Sequence, residues 1–453
     1  MEEFATLEMV LAAREARQAR IVAALDRAPL ISFTMNIAGP QKISPLIRRG
    51  FREGCRLLAE RFSRQSIPLV LLERTESVTG CEALFSAGGA AEAVKRICAE
   101  TEDKTLLGRL FDMDVIGTEG SKLDRTDLGF EERGCMVCGA PGRGCAARRR
   151  HSVEELRRET NRRLHAYFIA LDRKAVQRLA TDSLLAEVSI TPKPGLVDRA
   201  NNGSHTDMDR SLFEKSAAAL SGYWGECFAI GADTADLSPE ETFSRLRTAG
   251  LAAEQAMADA TSGINTHKGA IFLLGTVCGA LGRLWDAAQP CRNAETICAE
   301  CARMTGEAMQ AEFGRLAACG TLPTAGAQLY AQHGLRGARG EIADGLPGVR
   351  DLALPALKDL LSRGCGREHA AAVTLLHLIA RGTDTNMVKR GGLNGAAWGA
   401  EQAKALLMRS DMPTPEQISE LDRQFIARRL SPGGCADLLA VTLFLHSWEN
   451  DPE

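Results

Sequence analysis

The chain has 453 residues, 45% of them hydrophobic and 25% charged, with a net charge of −3. That length exceeds one hydrophobic core, so two or three domains are expected, and the composition is that of a soluble globular protein. Residues 1–165 carry a net charge of +3 and residues 166–453 a net −6; neither part is basic enough for general nucleic-acid binding.

The start, Met-Glu-Glu-Phe-Ala-Thr, is acidic and no apolar signal segment follows it. The fourteen cysteines are therefore read as reduced thiols of a cytoplasmic protein, some of them available to a metal. Residues 1–27 read as an amphipathic helix: Leu7, Val10, Leu11, Ala19, Val22 and Leu25 recur at helical steps, and Pro29 ends it. Strands follow over 29–37, 67–75 (read as buried), 81–87 and 108–117, with helices over 45–62 and 89–104. This strand–helix–strand–strand–helix–strand order predicts a ferredoxin-like α+β domain over 1–165, an antiparallel sheet with both helices on one face.

Asp112 and Asp114 stand two residues apart on the last of these strands, so both point to one face. Two like charges there call for a cation, and Mg²⁺ takes carboxylates together with phosphate oxygens. Such a pair suits a phosphoryl or nucleotidyl transfer site, with Arg109 and Lys122 as further phosphate partners. A solvent-facing strand edge is the plainer alternative. Next come Cys135-Met-Val-Cys138, Cys145 and His151, a set that could close a Cys₃His zinc site or remain three reduced thiols and a histidine in a loop. Eight arginines fall between Arg143 and Arg163, mostly on a helix that Ser152 and Glu155 open as a capping box. That basic face could bind phosphates or an acidic carrier protein, or simply be solvated.

A helix is expected to run through the domain break near 160–180. Beyond it the pattern is all-α over 166–453, with helices at 169–187, 209–231, 238–260, 267–287, 290–316, 350–363, 367–381, 395–409, 414–429 and 432–447. The apolar run Gly269 to Gly282 is too short to span a bilayer; its Gly275 and Gly279 suit close helix packing. Charge gathers in the gaps between helices. The longest gap, Glu187 to Asp209, is stiffened by Pro192, Pro194 and Gly195 and carries Lys193, Asp198, Arg199, Asn201, Asn202, His205 and Asp207. Three more gaps hold Asn265-Thr-His267-Lys268-Gly, Arg336-Gly-Ala-Arg339-Gly-Glu341, and Asp384-Thr-Asn386 with Lys389. Glycines beside Lys, Arg and carboxylates make anion and metal sites. Together the four segments predict a polyphosphate and divalent-metal site, with His205 and His267 as candidates for proton transfer.

These four segments resemble the triphosphoribosyl-dephospho-CoA synthase family, through Glu-Val-Ser-x-Thr-Pro-Lys-Pro-Gly-Leu-Val-Asp-Arg-x-Asn-Asn-Gly (187–203), Asn265-Thr-His-Lys-Gly, Gly-Ala-Arg-Gly-Glu (337–341) and Asp-Thr-Asn (384–386). Ile190 departs from the Thr or Ser more frequent there. The first domain resembles the apo-citrate lyase phosphoribosyl-dephospho-CoA transferase family, through Arg109-Leu-Phe-Asp-Met-Asp-Val and the Cys/His segment. The resemblance implies two successive reactions. ATP and 3′-dephospho-CoA give triphosphoribosyl-dephospho-CoA and adenine; the product is then transferred to a Ser of the apo acyl carrier protein subunit of citrate lyase, releasing pyrophosphate. It implies catalytic roles for Asp112, Asp114, Glu187, Asp198, His205 and Glu341. Substrate would be bound by Arg109, Lys193, Arg199, Asn201, Asn202, His267, Lys268, Arg336, Arg339, Asp384, Asn386 and Lys389. Mg²⁺ would sit on Asp112 and Asp114 and on Asp207 and Asp209; zinc would sit on Cys135, Cys138, Cys145 and His151. Neither nucleic acid nor membrane is an expected partner. The same chemistry for malonate decarboxylase, an ADP-ribose-type glycohydrolase, and a zinc-ribbon and nucleotide-binding protein without turnover stay open as alternatives.

Overall fold

The computed structural model describes residues 4–318, 325–382 and 384–451, without the side chains at 143, 146, 317, 318 and 325. Met1–Glu3, from the expected first helix, and the Arg143 side chain, from the basic run, lie outside it. The chain divides into two units: residues up to Leu171 with Asp286–Gln289, and Asp172–Trp285 with the chain from Pro290.

The first unit runs α1 (Leu7–Ala24), β1 (Leu30–Met35), α2 (Pro45–Arg64), β2 (Leu69–Ser77), β3 (Gly80–Ala87), α3 (Ala91–Lys104), β4 (Phe111–Ile116), β5 (Lys122–Leu123) and α4 (Gly142–Ala147). It ends in the first part of α5 (Val153–Ser189), a single helix that continues into the second unit's sequence. The sheet order is β2-β3-β1-β4-β5, every pair antiparallel. Its first four strands have the ferredoxin-like order expected, and β5 adds a short hairpin at one edge.

Strand alternation sorts the two faces. Ile31, Phe33, Phe111, Met113 and Val115 are buried on the helix side, where Phe33 stacks on Phe51 of α2 at 5.0 Å and meets Phe111 edge-on at 5.3 Å. The other face holds Ser32 and Thr34, paired in register with Asp114 and Asp112. There Ile21 of α1 packs with Leu30, Leu84 and Ile116. The part of the β4 edge that β5 does not reach is closed by α3: Glu102 accepts from Met113 N at 2.8 Å and Lys95 donates to Met113 O at 3.1 Å.

Two details differ from expectation. β2 is an edge strand with Val70, Leu71 and Leu72 exposed, because β3 turns back between it and β1. On α1, Leu7, Leu11 and Val22 are also exposed and only Ile21 is buried.

The second unit is helical: α6 (Arg210–Asp233), α7 (Pro239–Ala260), α8 (Lys268–Arg283), α9 (Ala294–Ala318), α10 (Ala325–His333), α11 (Gly337–Ala343), α12 (Leu354–Ser362), α13 (Arg367–Ala380), α14 (Thr385–Arg409), α15 (Pro415–Ala427) and α16 (Gly433–Asn450). The apolar α8 lies at its centre, buried from Ala270 to Gly282 apart from Phe272. As expected, its glycines permit close packing: Gly275 abuts Tyr223 and Gly279 abuts Leu246. Two segments read as loops are helical instead. Gly337–Ala343 forms α11, and α14 starts at Thr385, because Asp384 caps it by accepting from Met387 N at 2.9 Å; a kink at Gly392 separates this start from the helix expected over 395–409. No helix among the described residues is long and apolar enough to cross a membrane.

Candidate functional site

A cavity of about 1070 Å³ opens in the helical unit. The first turns of α8, α14 and α16 line it, through Lys268 and Gly269, Thr385 and Asn386, and Gly433 to Cys435. Helix N-termini present partial positive charge and N–H groups. Two carboxylates, Asp384 buried and Asp437 partly so, knit these starts together. Asp384 accepts from Met387 N of α14 and, at 2.8 Å, from Cys435 N of α16. Asp437, on α16, accepts from Ala270 N of α8. Burial raises both carboxyls; for Asp437 the charges of Glu187 and Asp384 add to it, and its carboxyl is held well above its ordinary value.

Cations ring the same space. Lys268 pairs with Glu254 at 2.5 Å, Arg336 with Asp344 at 2.7 Å, and Arg339 with Glu312 at 3.0 Å. Arg381 pairs with Glu341 at 2.5 Å, and Glu341 also accepts from Gly348 N at 2.9 Å. Lys389 lines the cavity with no carboxylate partner among the described residues. Deeper in, Lys193 is 1% exposed and donates to both the carboxylate and the carbonyl of Glu187, each at 2.6 Å.

Both candidate histidines are neutral at pH 7. Burial and then Arg390 push His205 down to about 4. Its Nδ1 faces an Arg390 N–H at 3.0 Å, so Nε2 carries the proton and donates to Ser431 Oγ at 2.8 Å. Burial and then Lys193 push His267 down to about 3. Its Nδ1 bonds Ser216 Oγ at 2.7 Å, and its Nε2 is buried without a partner among the described residues.

In the sheet unit, Asp114 pairs with Lys122 at 2.7 Å. Asp112 is exposed, yet its surroundings exclude part of its water, and this with the Asp114 charge raises its carboxyl. A divalent cation on Asp112 would relieve that cost, so the pair fits Mg²⁺. Arg109 is half-buried at the turn into β4; burial, then Arg133 and Arg163, push it down to about 10, leaving it charged at neutral pH. Separately, one donor atom from each of Cys135, Cys138, Cys145 and His151 lies within 4.8 Å of the other three. Three thiols and an imidazole at that spacing fit a tetrahedral zinc.

Residues 173–453 match the family model CitG, ATP:dephospho-CoA triphosphoribosyl transferase, and residues 5–167 match CitX, apo-citrate lyase phosphoribosyl-dephospho-CoA transferase. Protein CitXG of Haemophilus influenzae is 34% identical over 460 residues, covering 98% of this chain and 97% of its own. Protein CitXG of Leuconostoc mesenteroides subsp. cremoris is 33% identical over 445 residues, 95% of this chain and 94% of its own. The chain belongs to the CitXG family. A 2-(5''-triphosphoribosyl)-3'-dephosphocoenzyme-A synthase of Pectobacterium atrosepticum is 44% identical over 277 residues, 61% of this chain and 89% of its own. Like other CitXG fusions, the chain is a bifunctional transferase that makes the triphosphoribosyl-dephospho-CoA prosthetic group and transfers it.

Of the residues singled out in the CitG part, Glu187, Lys193, His205, Asp207, His267, Lys268, Arg336, Arg339, Glu341, Asp384, Asn386 and Lys389 line the cavity. The structure does not bring Asp198, Arg199, Asn201, Asn202 or Asp209 to it. Asp198 is buried and accepts from Ala200 N at 2.6 Å, Asn201 N at 2.9 Å and Lys193 N at 3.3 Å, so it shapes the 187–209 loop. Asn201 accepts from Gly203 N at 2.6 Å and donates to Asp422 at 2.9 Å. Arg199 pairs with Glu368, Asn202 is exposed, and Asp209 caps α6 by accepting from Leu212 N at 2.8 Å. Sequence reasoning missed Asp437 and Arg381. The available signal was Gly433-Gly434, a fourth glycine-marked helix start.

Proposed function

We propose that residues 166–453 join ATP to 3′-dephospho-CoA with loss of adenine, and that residues 1–165 place the product on a Ser of the apo acyl carrier protein subunit of citrate lyase. Both steps would run in the cytoplasm. The carrying observation is a cavity of about 1070 Å³, at the top of the usual range for ligand sites, ringed by three helix starts and by Lys268, Arg336, Arg339, Arg381 and Lys389. Such a space suits two nucleotides at once and a triphosphate that is held rather than cleaved.

In the first step the ribose 2′-hydroxyl of dephospho-CoA forms a bond to C1′ of ATP as the bond from C1′ to adenine breaks. Glu187, at the wall with Lys193 on its carboxylate, takes the hydroxyl proton. Asp437, whose carboxyl is raised well above its ordinary value, gives a proton to the departing adenine. Its conjugate base then shares the wall with Glu187, where negative charge favours an oxocarbenium-like transition state. The cations and helix starts fix the triphosphate and so orient C1′. Asp207 and Glu341, both at the cavity wall, would hold Mg²⁺, which would neutralise phosphate charge.

In the second step the carrier Ser oxygen forms a bond to the α-phosphorus as its proton passes to solvent, and the bond to the bridging oxygen breaks, releasing pyrophosphate. Asp112 and Asp114 would hold Mg²⁺, which neutralises charge on the leaving group. Arg109 orients the phosphates. Zinc would occupy the Cys/His cluster.

Adenine release from ATP and Mg²⁺, measured with and without dephospho-CoA, tests the first reaction. Adenine only with the acceptor, and a product heavier by a triphosphoribosyl group, is the expected result. Adenine without the acceptor would make the helical unit a glycohydrolase. The second reaction is tested by mass analysis of apo carriers from citrate lyase and malonate decarboxylase; preferential loading of the citrate lyase carrier is expected.

A further inference from the structure

We propose that Cys135, Cys138, Cys145 and His151 bind one zinc ion, and that this knuckle holds Arg133 and Arg163 beside Arg109 to make a three-arginine site for a substrate's linked phosphates. The inference rests on reading the sheet unit as the transferase for the choice of ligand, but not for the metal.

The knuckle is already folded for a metal. Gly139 N donates to Cys135 O at 2.9 Å, Cys135 N donates to Ala140 O at 2.6 Å, and Gly134 pairs with Pro141 in a short bridge. The turn requires Gly139, whose φ is 73°. The Sγ atoms of Cys138 and Cys145 are 3.5 Å apart. That is far beyond a disulfide bond of ~2.05 Å. It is close to the separation of about 3.8 Å between two thiolates on a tetrahedral zinc with bonds of ~2.3 Å. His151 Nε2 is buried with no hydrogen-bond partner among the described residues. A buried nitrogen left so is costly, and coordination would satisfy it. The surrounding segment has little else to hold it: among the described side chains of residues 129–151, only Met136 and Cys145 are buried hydrophobic residues, and Arg148, Arg149 and Arg150 are exposed like charges in a row.

Two arginines tie this knuckle to the strand that carries Asp112. Arg133 directly precedes the bridge, and its carbonyl accepts from Gly142 N at 3.0 Å. Its guanidinium donates to Phe111 O at 2.6 Å and to Gly108 O, the two residues that bracket Arg109 and Leu110. Arg163, on α5, donates to Met136 O at 3.2 Å, inside the Cys-x2-Cys turn, and pairs with Glu159 at 2.7 Å. Arg109 has no ion pair of its own among the described residues. Arg133, which also lies 3.5 Å from Glu102, and Arg163 are held by these partners and lend their charge beside Arg109, whose planar fork is the one left to meet phosphate oxygens bidentately. Without the metal, the carbonyl of Met136 and the backbone of Arg133 lose their fixed positions.

The test uses the full chain, purified with a reductant. Zinc is counted by plasma mass spectrometry, and inorganic pyrophosphate binding is followed by calorimetry. We expect one zinc per chain, a much lower content in Cys145→Ser, and faster backbone hydrogen exchange over 130–151 in that variant. Pyrophosphate affinity, and KM for the triphosphoribosyl substrate in transfer, should each worsen about tenfold or more. Arg133→Ala with Arg163→Ala should do the same with zinc retained, and the two Lys variants should recover part of the loss. Adenine release should not change in any of them. Cys145→His, which can still ligate, should keep zinc and affinity, separating metal loss from general misfolding. Protein that neither carries zinc nor takes it up when offered overturns the metal site. Zinc-free protein with unchanged pyrophosphate affinity overturns the clamp. Wild-type protein that binds zinc and pyrophosphate but loads no carrier supports the clamp while removing the transferase reading.

Discussion

A Cβ on Gly269 would lie 1.9 Å from Oδ2 of Asp437. No side chain fits there, so the first turn of α8 can approach this carboxyl only with glycine at 269. Gly269→Ala must push Asp437 away, at a cost of roughly 1–3 kcal/mol from overpacking, and adenine release should fall with it.

Asp437→Asn separates stability from function. Folding raises the Asp437 carboxyl well above its ordinary value, so the folded protein holds the proton to higher pH than the unfolded chain, which loses it above a pH of about 4. Stability therefore falls as pH rises through that value, since the native state binds the extra proton. Asn carries no charge to bury. The variant should melt higher than the parent at pH 7 to 8 and about equally below pH 4. It cannot give up a proton, so adenine release should drop by roughly 10²–10⁴-fold. A variant that is both stabilised and fully active would remove Asp437 from the acid role.

Lys193 and Glu187 form a buried ion pair at 2.6 Å. Lys193→Met leaves the Glu187 charge uncompensated, which costs roughly 3–5 kcal/mol. Lys193→Met combined with Glu187→Leu should cost clearly less, because no lone charge remains. Urea unfolding of the two variants measures the difference; equal losses would mean that the pair's surroundings, not its charges, hold this corner.

Much of this was legible in the sequence. The alternation of strand and helix signals in 29–117 gave the sheet order, since a split βαβ pair leaves few other ways to close. Ser152 and Glu155 read as a capping box and form one, with bonds of 2.8 and 3.1 Å. The glycine-marked segments at 267, 337 and 384 do line one cavity. Other features depend on contacts distant in sequence. Whether Val70, Leu71 and Leu72 are covered is decided by which strand pairs beside β2, not by their own pattern. Asp198 and Asp209 look like ligands by residue type, but the nearest N–H groups claim them first. Asp437 lies inside a helix, so only the fold reveals that it faces the start of α8.

The buried His267 and the partly buried His205 predict an acid limb. Both fold as neutral rings, with His205 down to about 4 and His267 down to about 3, while the unfolded chain binds protons on them near pH 6.5. Their contribution is fully present above that pH. It is lost as pH falls from about 6.5 towards 4 and below, because the unfolded state then binds more protons. Thermal melts from pH 7 to 4 should show this slope. His205→Asn with His267→Asn should flatten it, at some cost to stability at pH 7.

Asp112→Asn and Asp198→Asn should split the two reactions. At Asp112 the change removes a charge beside Asp114 without removing volume, so the sheet unit should remain folded. Transfer to the carrier should be abolished while adenine release continues. At Asp198 the change acts through the loop: an amide cannot accept on both sides, so at least one of the bonds from Lys193, Ala200 and Asn201 is lost, at about 1–3 kcal/mol. Lys193 and its partner Glu187 would shift with the loop, and adenine release should fall while transfer of supplied substrate persists. Assaying both partial reactions on each variant, with folding checked by circular dichroism, decides the matter. If either single change stopped both reactions in a well-folded protein, the assignment of separate sites to the two units would fail.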